Sequence, residues 1–298
     1  KSSFTPTVFG IGSFMSKALD TRAIGLDVGL AFTKWLTGAE NLHYGLWDGL
    51  EVTAGNLRAA QDAYTDKLFA LLPKGPLRIL DIGGGAGETA RKLLDLGHEV
   101  EIVVPSAYLA DRCRENAPAA KIHEMMFEEH EPQGTFDLCL FSESFQYNPF
   151  DIALSKTTTA LKPGGQIVIA DCFRAEGYKL DKTVAKVGGG HRIERFRKHL
   201  STTDLNVVSE TDITQSVAPS VELEQDLFNV LGYAHSRVTD ELALKRPKLL
   251  KVGQWVVRRL LSERRRQRLD QRVNGRTRTA EAFCTHNVYL LMVLETPR

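Results

Sequence analysis

The 298-residue chain contains no apolar run approaching the roughly 18–20 residues that a membrane-spanning helix needs. Its four cysteines, Cys113, Cys139, Cys172 and Cys284, lie far apart and form no C-x-x-C pair. That argues against a zinc site or a disulfide framework and for reduced thiols inside a cell. A formal charge of only +1 at pH 7 gives no global field to draw the chain to nucleic acid. Internal repeats and low-complexity tracts are also missing. What remains, 43% apolar and 25% charged residues, suits a soluble globular protein with one large domain, or one domain carrying an insert. The expected location is cytoplasmic. The chain begins at Lys1 without a methionine, which leaves room for a short preceding piece and for a targeting signal within it.

The first 75 or so residues read as helices, because "IGLDVGLAFTKWL" and "NLRAAQDAYTDKLFALL" space apolar residues three and four apart. From Leu77 the pattern changes to strands alternating with helices. "LRILDI", "EVEIVVP", "KIHEMMF", "FDLCLFS" and "QIVIADCF" read as strands, and "GETARKLLDLG" and "ALSKTTTALKPGG" as helices. Alternation of this kind means parallel pairing with right-handed crossovers, an α/β doubly wound sheet. "LNVVSETDI" and "NVYLLMVLE" supply two further strands, for seven in all, mostly parallel. The expected organisation is an N-terminal helical cap over 1–75, a Rossmann-like core over 76–213, a basic helical insert over 214–282, and the last core strand within 283–298.

The turn "LDIGGGAGETA" ends the first strand in Asp81 and places Gly83, Gly85 and Gly87 at alternate positions, with Gly84 between them. Glycines let the chain turn tightly and let a ligand lie on bare backbone, while the helix that follows points its positive end at the ligand. The spacing is D-x-G-x-G-x-G. It is neither the G-x-G-x-x-G of dinucleotide enzymes nor a Walker sequence, whose lysine is missing.

Three motifs in order, Asp81 to Gly87, "FDLCLFSES" (Phe136 to Ser144) and "LKPGGQIVIAD" (Leu161 to Asp171), resemble those of class I S-adenosylmethionine-dependent methyltransferases. The resemblance covers about residues 40–213 and the final strand. It implies S-adenosyl-L-methionine as cofactor, Asp81 serving the amino group of its methionine moiety, and Ser142 near the same end. Met126 and Phe127, followed by Glu128, fall where the family contacts adenine, although plain core packing is an equal reading of the two apolar residues. In "ENLHYGLWDG" (Glu40 to Gly49) the chain is similar to small-molecule methyltransferases of the tocopherol and cyclopropane fatty acid synthase groups. There an aromatic segment closes over the cofactor, which implies Tyr44 and Trp47 beside the sulfonium; for Trp47 a hydrophobic plug is the competing reading. One departure is plain: the family's second strand ends in an acid that holds the ribose hydroxyls, and here that position is Val104. Ser106 is the nearest polar replacement.

The acceptor is less well defined. "SESFQYNPF" lacks the Asn/Asp-Pro-Pro-aromatic motif of base and glutamine methylation. His191, behind three glycines, is the candidate general base, either in a mobile loop closing over substrate or as an ordinary surface histidine. Glu143, Gln146 and Tyr147 sit at the same edge of the sheet and are placed to orient an acceptor. From Lys245 to Arg278 thirteen Lys/Arg face only Glu263 and Asp270. Within that stretch Leu249, Val252, Val256 and Leu260 share a helical face, with Trp255 beside it. Such a helix either lies on an anionic membrane surface or caps the sheet with its apolar face. Nucleic acid is not the expected partner, because aromatic stacking platforms are sparse. The leading expectation is methyl transfer to a hydrophobic small molecule, with a lipid or fatty-acyl acceptor favoured. The alternatives are O- or N-methylation of a soluble secondary metabolite, and a non-catalytic cofactor-binding relative.

Overall fold

A computed structural model describes residues 21–132, 135–179 and 187–298. Helices α1 (Thr21–Thr37) and α2 (Leu57–Phe69) precede the alternating unit. The unit runs β1 (Arg78–Ile82), α3 (Glu88–Asp95), β2 (Glu99–Val103), α4 (Ala107–Asn116), β3 (Lys121–His123), β4 (Phe136–Ser142), α5 (Phe150–Ala160) and β5 (Leu161–Arg174). Then follow α6 (Ile193–Leu200), β6 (Asn206–Asp212), α7 (Thr214–Val217), α8 (Pro219–Lys245), α9 (Pro247–Leu260), α10 (Glu263–Asn274), α11 (Ala280–His286) and β7 (Asn287–Glu295). The strands form one sheet in the order β3-β2-β1-β4-β5-β7-β6. Pairing is parallel from β3 through β5, and β7 runs antiparallel between β5 and β6.

The sheet is therefore the doubly wound, mostly parallel one expected, with helices inserted before the last strand. Its apolar strands bury both faces, which is why β1, β4 and β5 read as near-continuous runs. Leu80, Ile82, Phe141 and Phe173 pack on one side, and Ile79, Ile102, Leu140 and Tyr289 on the other.

Local boundaries differ where short polar segments decide them. The third strand stops at His123, and "EMMF" continues as a turn into a single 3-10 turn at Phe127–Glu129. Two helices that apolar spacing does not announce are present. Helix α4 is started by the Ser106 hydroxyl, which accepts from the Leu109 N–H at 3.3 Å. Helix α6 buries only Ile193, Phe196 and Leu200 among charged neighbours.

The insert does not cap the sheet with α9, contrary to that expectation. No residue of α9 or α10 is buried, and burial in α8 is confined to Ser220, Val221, Gln225 and Gly232. These helices project as an arm from the β6 to β7 connection. Leu249, Trp255 and Leu260 on α9 are 59%, 65% and 73% exposed. Among the described residues no helix is long and apolar enough to cross a membrane.

Candidate functional site

The order of strands reverses between β1 and β4, and a ligand crevice belongs at the carboxyl ends of those strands. A cavity of about 720 Å³ opens there. It is walled by the glycine turn, the ends of β2 and β4, the loop after β3, segment Glu40–His43, and Asp27 of α1.

Asp81 is 1% exposed, lines this cavity, and receives no hydrogen bond or ion pair from any described residue; its Oδ2 is fully buried without a donor. Burial alone raises its pKa from 3.8 to about 7. The backbone around it is shaped by what is missing. A Cβ on Gly84 would lie 2.5 Å from the Asp81 Oδ2, so only glycine leaves the carboxylate room. Gly85 adopts φ 56°, and a Cβ there would point into open space toward Leu42, on the cavity wall. A bare cradle beside an unpartnered buried carboxylate fits the amino-acid end of a cofactor carrying an ammonium group. Gly83 also lines the cavity. Gly87 does not: it begins α3, and a Cβ there would meet the Cα of Cys113 at 3.0 Å. Its role is close packing of α3 on α4.

Glu143, at the end of β4, is the one non-glycine of positive φ (56°) among the described residues. Such strain persists where surrounding contacts over-determine it. Its Oε1 accepts from the Tyr44 N–H at 2.7 Å and the Tyr289 hydroxyl at 3.0 Å, and Tyr289 in turn meets the Tyr64 hydroxyl at 2.8 Å. Ser142 lies within 3.4 Å of that same Tyr64 hydroxyl. Burial pushes the Glu143 carboxyl up to about 8, against the lowering effect of the Tyr44 N–H. Glu143, Ser142 and Tyr147 all line the cavity.

At the other end, Met126, Phe127, Val104, Pro105 and Ser106 form the wall. Phe127 is 4% exposed and stacks edge-on against Phe141, whereas Met126 is 45% exposed. Phe127 is thus a core residue that also lines the cavity, and Met126 offers an exposed apolar face. The Val104 side chain is buried and its N–H is spent on the His123 carbonyl at 3.0 Å. Ser106 is partly committed to capping α4.

Three sequence candidates lie elsewhere. His191 is outside the cavity. Its Nε2 sits 2.8 Å from the Asn148 carbonyl and 3.2 Å from the Phe145 carbonyl, and its ring packs edge-on to Phe145 and Phe150. It clasps the 145–148 loop from behind. The glycines before it are tight against the body: a Cβ on Gly190 would lie 1.8 Å from the Cys172 carbonyl. Trp47 is 4% exposed and donates to the Ser220 hydroxyl at 2.8 Å, a plug at the root of the arm. The Tyr44 ring lies behind the cavity wall, edge-on to Phe283.

Two contributors had little or no sequence signal. Glu40, 4% exposed, ties the wall segment to α4 through Arg112 at 2.7 Å and Asn116 at 2.9 Å, and to α1 through Lys34. Burial raises its pKa, but the hydrogen bonds from Arg112, Lys34 and Asn116 outweigh this and hold it at about 2. His43 lines the cavity and stacks on Tyr64 at 4.5 Å; burial lowers its pKa to about 4, so the ring is neutral at pH 7. Its place beside Tyr44 was the only clue to it.

Sheet order, glycine turn and orphaned strand-end acid together define the class I S-adenosylmethionine-dependent methyltransferase fold. The family profile described as "Methyltransferase domain" matches residues 56–213, and the chain belongs to that family. The tRNA 5-carboxymethoxyuridine methyltransferase of Escherichia coli (strain K12) is 31% identical over 146 residues, which is 45% of this chain and 54% of that protein. The chain thus spans about half the length of that curated relative. The cyclopropane synthase MmaA2 of Mycobacterium tuberculosis superposes with TM-score 0.66 at 14% identity, over 91% of this chain and 95% of its own. The geranyl diphosphate C-methyltransferase of Streptomyces coelicolor A3(2) superposes with TM-score 0.59 at 16% identity, over 94% and 99%. These two likenesses establish the shared fold.

Proposed function

We propose that the protein transfers a methyl group from S-adenosyl-L-methionine to a hydrophobic acceptor, and that the acceptor is lipidic and met at an anionic membrane surface. The observation that carries the cofactor reading is Asp81, a buried carboxylate without a donor in a cavity at the strand-order reversal. The cofactor supplies an electrophilic methyl on a cationic sulfur. The chain's part is to hold and orient. Asp81 accepts the ammonium, and Gly83, Gly84 and Gly85 admit the amino-acid end. Met126 and Phe127 flank the adenine. Glu143 and Tyr147 stand at the cavity edge where an acceptor enters, and the raised pKa of Glu143 suits it to take a proton near neutral pH.

The arm favours a lipid over a soluble metabolite. Helix α9 has no acidic residue, and its Lys248, Lys251, Arg258 and Arg259 have no ion-pair partner among the described residues. Beside them stands an unpartnered apolar stripe. Aliphatic residues with a lone tryptophan and free cations match the acyl and headgroup layers of an anionic bilayer. The Escherichia coli relative is named for a tRNA, and the same charge would serve RNA; the exposed aliphatic stripe would not.

Calorimetry with S-adenosylmethionine and S-adenosylhomocysteine tests the cofactor: no binding of either by folded protein overturns the reading. Flotation with vesicles of anionic or neutral phospholipid, with bulk tRNA as competitor, tests the surface. Salt-sensitive association confined to anionic vesicles and indifferent to tRNA is expected. Binding to tRNA instead of vesicles would replace the lipid with RNA, and binding to neither would favour a soluble metabolite. Comparing lipid extracts of cells with and without the protein for a gain of one CH2 identifies the acceptor.

A further inference from the structure

The missing acid at the end of β2 leaves a need unmet. A ribose diol presents two O–H donors, and a carboxylate is the side chain that accepts both. Val104 offers neither a side-chain acceptor nor a free N–H.

A carboxylate does reach the cavity, from another element. Asp27 of α1 lines the same cavity as Val104, Pro105, Ser106 and Tyr108. Its Oδ1 is fully buried without a donor, and no described residue makes a hydrogen bond or ion pair with it. Lys34 of the same helix and Arg112 of α4 are both committed to Glu40. The orientation of α1 is fixed. Leu30, three residues on from Asp27, is 1% exposed and belongs to the core, so Asp27 lies on the inward face of the helix. A buried carboxylate oxygen without a donor is a place where a ligand's hydroxyl can complete the hydrogen bonding. The cavity thus holds two unpartnered acids, Asp81 beneath the glycine turn and Asp27 across from the altered strand end.

We propose that Asp27 is the ribose-binding residue, its carboxylate accepting the 2′- and 3′-hydroxyls in place of the missing strand-end acid. The acid has moved from the strand that floors the site to the helix that covers it. The proposal rests on the cofactor and not on the acceptor.

The test is calorimetry of wild type, Asp27→Asn and Ser106→Ala with S-adenosylhomocysteine, its 2′-deoxy and 3′-deoxy analogues, and its 6-deamino-purine analogue. Wild type should prefer the intact ribose by about ten- to a hundredfold, the range for a hydrogen bond to a charged group. Asp27→Asn should weaken S-adenosylhomocysteine by a similar factor and bind the deoxy analogues no worse than the parent, while Ser106→Ala keeps the preference. A diol preference that survives in Asp27→Asn overturns the proposal. So does a variant that loses its preference for the 6-amino group instead, which would put Asp27 on adenine. Wild type without affinity for S-adenosylhomocysteine would overturn the cofactor reading with it. Thermal unfolding of the empty variant, expected within a degree or two of wild type, confirms that the fold is intact.

Discussion

Replacing Asp81 by asparagine should stabilise the empty protein while crippling its binding. In the empty cavity burial lifts the Asp81 pKa from 3.8 to about 7, a shift that corresponds to about 4 kcal/mol of penalty once the group is ionised. The sign follows from the folded pKa lying above the unfolded one. Stability is fully present below about pH 4, is lost as pH rises, and stays at its lower level above about pH 7. Asparagine carries no charge, but its own unsatisfied amide costs about 1–3 kcal/mol, so the net gain at pH 8 is on the order of 1–3 kcal/mol. At about 2–4 °C per kcal/mol for a large domain, the variant should melt several degrees higher than wild type at pH 8 and no higher at pH 4. Affinity for S-adenosylhomocysteine should fall by about a factor of 100 with loss of the ammonium's partner. In wild type, binding ionises Asp81, so below pH 7 it should release a proton, visible as a buffer-dependent enthalpy, and weaken as pH falls. A variant that melts lower than wild type at pH 8, or that binds undiminished, refutes the reasoning.

Other outcomes follow from the same geometry. His191→Ala should lower stability by about 1–2 kcal/mol, by leaving the Asn148 carbonyl without its donor, and should leave turnover per folded molecule unchanged; a drop in kcat with an intact melt would restore His191 to the chemistry. Glu40→Gln should loosen the cavity wall, seen as faster amide exchange over residues 39–47 and a several-fold faster release of S-adenosylhomocysteine in stopped flow. Glu143→Gln should retain cofactor affinity and lose the rise in rate with increasing pH that a base titrating near 8 sets. Trp255→Glu should abolish flotation with anionic vesicles without altering calorimetric binding of the cofactor.

What the sequence conveyed and what it withheld divide along a physical line. The turn from Asp81 to Gly87 is legible because backbone shape, bare glycines and one acid are all local demands. The strand Asn287–Glu295 is legible because it is apolar on both faces. Helices α4 and α6 were obscured because each buries only three side chains among charged neighbours, too few for a periodic stripe. Tyr44 and Trp47 were recognisable as aromatic, but whether they meet the cavity depends on how residues 39–47 thread between α2 and α8. That path is set by tertiary contacts such as Trp47 to Ser220. His191 misled because a glycine run looks mobile in sequence, yet here glycine is needed to pass within contact of β5 and Asn287. Asp27 gave no sign at all, being one acid on a helix far upstream of the turn it serves.

The arm also bears on how the protein can change over time. Its outer helices, α9 and α10, bury nothing and stand clear of β1, β2 and β4, which carry the glycine turn and the acids. On the proposed reading, substitutions on α9 would change the surface the protein meets and leave the residues that line the cavity untouched. The inner turns of α8 have no such licence, because Ser220 grips Trp47 on the segment that walls the cavity. If the arm sets the address as proposed, its tip can diverge while its base stays fixed, and a transplanted α9 would redirect the protein without changing the cavity.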